Sequence, residues 1–484
     1  MPQLARRVTS ATGNRYNRLY AEPMNIALNA LTSAFPDNPP ETEVSEKYFG
    51  DWLMRAEPGV TPLALFRPRS TAEVSKALAL CSQYGVPVVP QGGLTGLTGG
   101  TVPNEGALLI SMERMAAIEE VDPASQLIVV QAGVPLERVQ QAADDAGMLF
   151  PLDIGSRGTC QIGGNLSTNA GGNRVLRYGM ARAMVLGLEV VLADGTILSS
   201  MNRMLKNNAG FDLKQMFIGA EGTLGIITRA VLRLAPKPSS VATAIVSVAA
   251  WPDVEALLAS ARRNLGDLLS AFEVMWPEFY AMATAKLNGS APLAHGAGAY
   301  IVIELSSAQC DADDQLAAFL EDMMARGVAT DAVIAQSVQQ ARGIWDVRDQ
   351  GGALISEFDP VANFDLSVAT VRIGPFVRDC RAQLEKQWPG IKTVFFGHIC
   401  DGNVHLIAGG FDVADLAAVE HLVYQVTRDH DGSISAEHGI GLYKRSYLHM
   451  SRTDAEIAAM RALKTALDPK NILNPGKVLT VEPG

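Results

Sequence analysis

Pro90-Gln-Gly-Gly-Leu-Thr-Gly-Leu-Thr-Gly-Gly100 is the stretch on which the reading of this chain turns. It follows the β-branched run Val86–Val89, so a strand opens into a glycine loop. Successive glycines let backbone N–H groups approach an anion closely, and Thr95 and Thr98 add hydroxyl donors. That suits a pyrophosphate. The spacing is neither GxxxxGK[ST] nor a GxGxxG that opens a helix, which disfavours a P-loop NTPase and a Rossmann dinucleotide site.

Before the loop, Leu63–Phe66 predicts a strand. Ser70 and Glu73 form a capping-box pair ahead of a helix whose apolar stripe is Val74, Ala77, Leu78 and Cys81, and Gly85 suits its end. The unit is β-α-β. After the loop a similar unit recurs, with strand Leu127–Gln131, Pro135 at a helix start, stripe residues Leu136, Val139, Ala143 and Ala146, and Gly147 as the stop. Met184–Leu192 and Ile197–Leu198 flank the hairpin signal Asp194-Gly195, and Gly225–Leu234 predicts another strand. Two further glycine loops lie here: Gly158-Thr-Cys-Gln-Ile-Gly-Gly-Asn165, continuing to Thr168-Asn-Ala-Gly-Gly172, and Gly219-Ala-Glu-Gly-Thr-Leu-Gly225. Each alone reads as a turn between strands; three in one region point to a large phosphorylated cofactor.

Pro236-Lys-Pro-Ser-Ser240 predicts a linker. Beyond it come strand Ala242–Val248, helix 252–265, strand Tyr300–Leu305 and helix 311–326, an order that suits a ferredoxin-like α+β module. Residues 411–431 and 453–467 read as helices, and residues 1–57 as a polar helical segment with a Pro-rich break at Pro36–Pro40. The expected division is 1–57, an N-terminal segment; 58–237, the cofactor domain; 238–449, a substrate cap; and 450–484, a C-terminal segment packing back on the cofactor domain.

Composition narrows the partners. In 484 residues, 40 Lys plus Arg face 51 Asp plus Glu, a formal charge of −11. An acidic surface disfavours nonspecific binding to nucleic acid. Five scattered Cys with no CxxC read as reduced, cytosolic usage. The N-terminal stretch lacks a signal-peptide core, and no apolar run approaches the ~20 residues that span a bilayer. The expectation is a cytoplasmic protein, with contact at the inner face of a membrane left open.

Seven His occur in the chain, and two lie in Gly397-His398-Ile-Cys-Asp-Gly-Asn403-Val-His405. With Asp401-Gly402 as a two-residue turn, Cys400 pairs with Asn403, Ile399 with Val404 and His398 with His405. Directly opposite residues have Cβ atoms roughly 4.5–5.5 Å apart, which suits two ligands of one metal. One helix would separate them by ~10 Å along its axis. Ser435-Ala-Glu437-His438-Gly-Ile-Gly441 offers a carboxylate to complete a His₂Glu set with an open position, as catalytic Zn²⁺ prefers. Two cross-strand His at a surface turn and a helix-capping Glu-His fit the same residues.

The order and wording of these segments, from about Pro62 to Lys477, resemble FAD-linked oxidoreductases of the vanillyl-alcohol oxidase / p-cresol methylhydroxylase type. The GHxxDGNxH and EHGIG words are similar to those of its D-2-hydroxyacid dehydrogenase branch. The resemblance implies an α+β protein: a two-subdomain FAD-binding domain, a ferredoxin-like cap and a C-terminal helical segment. It implies FAD contacts at Pro90, Gln91, Gly92, Gly93, Leu94, Thr95, Gly96 and Leu97, at Gly158, Thr159, Gly163, Gly164, Asn165, Thr168 and Asn169, and at Gly222, Gly225 and Ile226. Asn474 and Lys477 would lie near the flavin ring. No His stands in the loops, so FAD would be noncovalent. His398, His405 and Glu437 would ligate a divalent metal, with zinc expected, and His438 would be the base. Arg348 would bind the substrate carboxylate, assisted by Asn403, and Lys206, in a further family word, would also contact the substrate. The implied reaction is oxidation of a D-2-hydroxy acid to the 2-oxo acid, passing electrons to a quinone or an electron-transfer flavoprotein. An O₂-using oxidase, a flavin electron-transfer subunit and a homodimer are the other expectations. Dicarboxylate members carry a Lys before their Tyr-Asp-Leu-Ser run and a Thr after the Arg. Asn363 and Gly352 stand here, which implies a substrate with one carboxylate or a different side chain.

Overall fold

The computed structural model describes residues 13–287 and 291–481, so residues 1–12 of the N-terminal segment lie outside it. Among the described residues ten strands run up to the linker: β1 (Ala64–Phe66), β2 (Val88–Gln91), β3 (Leu108–Ser111), β4 (Ile118–Asp122), β5 (Leu127–Gln131), β6 (Met148–Leu149), β7 (Val185–Val191), β8 (Ile197–Ser200), β9 (Ile226–Arg233) and β10 (Ala235–Pro236). The first β-α-β unit forms, but β3 inserts between its strands, giving a parallel sheet β1-β3-β2. Its helix, Thr71–Tyr84, buries Val74, Ala77, Leu78 and Cys81 and stops at Gly85 in the left-handed region, φ 68°. Half of the capping box is present. The Ser70 hydroxyl accepts from the Glu73 N–H, while the Glu73 carboxylate turns to the Arg69 N–H and Asn38.

The expected second copy of that unit differs. β5 joins an antiparallel sheet β4-β5-β9-β7-β8, and the helix after it, Leu136–Asp145, leads to the two-residue β6, which pairs with β10. Four apolar residues in a row, Leu127–Val130, suit a strand buried on both faces, and that run does not by itself state a direction. Ala27, Leu31 and Phe35 from the N-terminal helix share one core with these sheets, as do Ile472 and Leu473 from the far end of the chain. The N-terminal segment is therefore part of the first module's packing.

Past the linker come β11 (Ser240–Val248), β12 (Leu269–Met275), β13 (Ala299–Ser307), β14 (Asp331–Ile334), β15 (Val361–Ser367), β16 (Lys392–Gly397) and β17 (Asn403–Gly409). They form one antiparallel sheet in the order β14-β11-β13-β12-β16-β17-β15. The first four strands, with helices Trp251–Leu265 and Ala312–Ala325, give the ferredoxin-like order 4-1-3-2. The next three, with helices Ile373–Gln387 and Leu416–Asp429, repeat it in mirror order, and Ser433 bridges to Ser367 where a fourth strand would stand. The cap is thus two related halves joined edge to edge where β12 pairs with β16.

All four helices bury the same face of the sheet. Side chains alternate along a strand, so Phe364, Leu366, Val404 and Leu406 enter that core while Asn363, Asp365 and His405 point the other way. That other face looks toward the glycine loops.

Candidate active site

A cleft of about 710 Å³ lies between the two modules, within the roughly 300–1,000 Å³ of small-molecule sites. The loops Pro90–Thr101, 153–173 and 221–227 form one wall. Glycine is required where they meet. A Cβ on Gly93 would sit 2.0 Å from the Thr159 carbonyl, and one on Gly222, at φ 71°, would sit 2.5 Å from Pro90 Cγ. Leu94, Asn169 and Glu221 also hold positive φ without being glycine, and such strain persists where the surroundings over-determine it. Asp51 braces the first loop from outside by accepting the Gly99, Met54 and Leu53 N–H groups at 2.6, 2.7 and 3.0 Å.

Side chains of the cap build the opposite wall. Glu273, on β12 and 1 % exposed, accepts from Arg348 Nε at 2.7 Å and faces His398 Nδ1 at 2.7 Å. One carboxylate therefore holds both groups. Burial alone would raise the Glu273 pKa, but His398 and Arg348 hold it down to about 2. Burial likewise works against the His398 imidazolium, and Glu273 outweighs it, lifting that pKa to about 9. Arg348 Nη2 stands 3.3 Å from His398 Nε2.

Asp365, on β15, does the same for the other members. Its Oδ2 accepts the N–H groups of Ala436, Glu437 and His438 at 3.1, 2.8 and 2.9 Å, fixing the turn that carries Glu437 and His438. The Nδ1 atoms of His405 and His438 each lie 3.7 Å from this carboxylate. Burial would raise its pKa, but His438, Lys444 and His405 hold it well below the usual carboxylate range. Burial pushes His405 well below an ordinary histidine, so it is a neutral imidazole. Ligand atoms of His398, His405 and Glu437 all lie within 4.8 Å of one another. Glu437 also reaches the glycine wall, where its Oε1 accepts the Gly172 N–H at 2.8 Å.

Two family models match the chain, one described as FAD binding domain over residues 62–200 and one as FAD linked oxidases, C-terminal domain, over residues 237–478. The mitochondrial D-2-hydroxyglutarate dehydrogenase of Bos taurus is 40% identical over 433 residues, covering 89% of this chain and 78% of that one. The D-2-hydroxyglutarate dehydrogenase of Stutzerimonas stutzeri is 35% identical, covering 89% and 93%. The chain belongs to the FAD-linked D-2-hydroxyacid dehydrogenases. The fold of this dehydrogenase is similar to that of p-cresol methylhydroxylase, with a TM-score of 0.76 at 15% identity over 95% of this chain and 97% of that one. No helix among the described residues is long and apolar enough to cross a membrane.

The dehydrogenase's glycine wall fits FAD. Its loops offer backbone N–H groups at close approach, and the buried Gln91 Oε1 and Gln161 Oε1 in the cleft have no protein partner. The cap wall fits a divalent ion. Glu273 holds His398 by Nδ1, so Nε2, which Arg348 Nη2 approaches at 3.3 Å, is the nitrogen left to ligate an ion, and two imidazoles with one carboxylate match a catalytic zinc set with an open position.

Most of the expected site residues line this cleft: Pro90 to Leu97, Thr159, Gly163, Gly164, Asn165, Thr168, Gly222, Gly225, Ile226, Arg348, His398, His405, Glu437 and His438. Six do not. Gly158 is exposed, and Asn169 instead caps the Arg182 N–H. Lys206 stands on an exposed loop. Asn403 Nδ2 donates to Asp365 and the Leu366 carbonyl, and its buried Oδ1 has no partner among the described residues. Asn474 braces the glycine loops from behind through the Gly100 and Glu221 carbonyls, and Lys477 bonds Asn104. The two-residue turn is also corrected. His405 pairs with Phe396, and the connection is the five-residue loop His398–Gly402, whose Ile399–Asp401 forms a 3₁₀ turn. The imidazoles still converge, with ring centroids 5.5 Å apart.

Glu273, Asp365, Asp51 and Glu221 were not anticipated. Glu273 and Asp365 each left a trace: a single acid between apolar neighbours in a strand, Phe272-Glu-Val274 and Phe364-Asp-Leu366.

Proposed function

We propose that this dehydrogenase oxidises a D-2-hydroxy acid with one carboxylate and a neutral side chain to its 2-oxo acid, with a divalent ion, zinc by its donors, at His398, His405 and Glu437. The observation that carries the substrate class is charge. Among the described residues lining the cleft, Arg348 is the one Lys or Arg. Beside it Gly351, Gly352, Ile355, Asn363 and Phe396 are all neutral, and a Cβ on Gly352 would meet nothing within 4 Å.

Bound FAD supplies a two-electron acceptor for the C2 hydride, and the ion supplies Lewis acidity toward the substrate hydroxyl. The chain's residues supply position and proton handling. Arg348, its Nε anchored on Glu273, presents its remaining N–H groups to the carboxylate. His438 has its Nδ1 toward Asp365, which leaves Nε2 to take the hydroxyl proton, and Asp365 stabilises the imidazolium that results. Phe396 and Ile355 exclude water from the substrate side.

The 40% identity to an enzyme named for D-2-hydroxyglutarate supports a second reading, in which Asn363 and bound water replace a cationic clamp. An anaerobic bleaching screen of the flavin separates the two. D-lactate and longer neutral D-2-hydroxy acids should reduce it faster, at lower concentration, than D-2-hydroxyglutarate or D-malate. The reverse order would discard the single-carboxylate reading, and no bleaching by any of them would discard the reaction. We assign the acceptor to a quinone or an electron-transfer flavoprotein, met in the cytoplasm or at a membrane's inner face; rapid reoxidation by O₂ in stopped flow would favour an oxidase instead.

A further inference from the structure

A second cavity, of about 650 Å³, opens where residues 176–184 and 233–236 meet the first half of the cap, and it shares no lining residue with the active-site cleft. Arg177, Arg233 and Arg262 line it against a single acid, Asp267. Several other buried or half-buried arginines find carboxylates, Arg229 on Glu119 and Arg348 on Glu273 among them. These three do not. Arg177 donates to the Ser306 carbonyl and lies over the Tyr178 ring at 5.3 Å. Arg262 donates to the Cys400 carbonyl. Arg233 has no side-chain hydrogen bond or ion pair within the described residues. Three cationic side chains lining one space repel one another, and an anion bound among them would relieve that repulsion and gain charge-assisted hydrogen bonds. Leu176, Met184, Leu234 and Leu269 beside Tyr178 give the wall an apolar part, and Gln126 adds an amide. The space exceeds what an inorganic anion fills and suits a body of drug-like size.

The cavity also touches the catalytic machinery through one bond. Cys400 lies in the loop His398–Gly402, so Arg262 steadies the segment that carries a proposed metal ligand. We propose that this cavity is a regulatory site for a small organic polyanion, a phosphate ester or a polycarboxylate, whose binding draws Arg262 off the Cys400 carbonyl and slows hydroxy-acid oxidation. The binding half stands by itself; the slowing half rests on the reaction proposed above.

Calorimetric titration of the FAD-loaded enzyme with ADP, citrate and inorganic phosphate, each separately, tests the first half. ADP or citrate should bind, weakening as salt is added, and Arg233→Ala should lower that affinity by about tenfold or more without changing flavin reduction in the absence of anion. Arg233 has no partner to lose, so the variant should fold as the parent does. No binding of ADP or citrate at millimolar concentration, binding of phosphate alone, or an unchanged affinity in Arg233→Ala would overturn the site. For the second half, the bound anion should slow flavin reduction in the parent, and Arg262→Ala should be slow already and insensitive to the anion. Binding with no change in reduction rate would overturn the regulation. If no hydroxy acid reduces the flavin, the calorimetry still decides the site.

Discussion

Gly93 and Gly222 on one wall of the cleft, and Glu273 and Asp365 on the other, do comparable work by different means. The glycine wall recognises through its backbone: chain passes chain at distances that a single Cβ would close. The cap wall recognises through side chains in two layers, with Glu273 holding Arg348 and His398, and Asp365 holding the turn of Glu437 and His438. The difference teaches where damage spreads. A change on the backbone wall acts locally through shape, whereas removal of one buried carboxylate on the cap wall leaves two or more charged groups without their partner. Breaking such a pair costs about 3–5 kcal/mol.

The largest effect belongs to His438. His438→Ala should leave the flavin spectrum of the bound cofactor intact and slow anaerobic flavin reduction by roughly 10²–10⁴-fold. A drop of only a few fold would move the proton-accepting role off this residue and blur the division between the walls. Next comes Glu273→Gln, which should lower divalent-metal affinity about 10–100-fold, read by chelator competition and metal content, and should raise the KM for hydroxy acid through the loosened Arg348. Unchanged metal content together with unchanged KM would mean that the second layer is packing alone. On the other wall, Gly222→Ala should cost about 1–3 kcal/mol through the overlap with Pro90, seen as a lower melting temperature and faster FAD loss. Metal affinity should hold; if it fell in step with FAD, the walls would not be separable. Lys206→Ala should be the smallest, within about 0.5 kcal/mol of the parent in stability and with no change in KM, because its side chain is outside the cleft.

The same contrast explains which parts of the site could be read from the chain. The helix Thr71–Tyr84 and the loop after β2 are legible because their signals are contiguous: a hydroxyl cap, an apolar stripe, a glycine stop, a run of glycines. The convergence of His398 and His405 was legible in outline, since seven residues cannot carry two strand ends far apart, but the register was not. Asp401-Gly402 is a turn signal, yet the loop is longer because Gly397 packs against the Asn403 backbone, where a Cβ would lie 2.4 Å from its carbonyl. Asn403 reads as a substrate contact because its neighbours do; its Nδ2 is bonded inside the sheet, and its buried Oδ1 has no partner among the described residues. The duplicated cap was not legible, because the second half lacks a full fourth strand and shares no evident motif with the first.

The chain alone determined the glycine loops, the ends of capped helices such as Thr71–Tyr84 and the residue types of the proposed metal and base positions, because caps, turns and positive-φ requirements act over a few neighbouring residues. Tertiary structure decided that Glu273 meets Arg348 75 residues later and His398 125 residues later, that Asp365 gathers the Glu437 turn, and that Arg177, Arg233 and Arg262 share one cavity. Those meetings follow from β12 pairing with β16 and from the packing of one module on the other, and no local pattern specifies which distant strand a strand will choose.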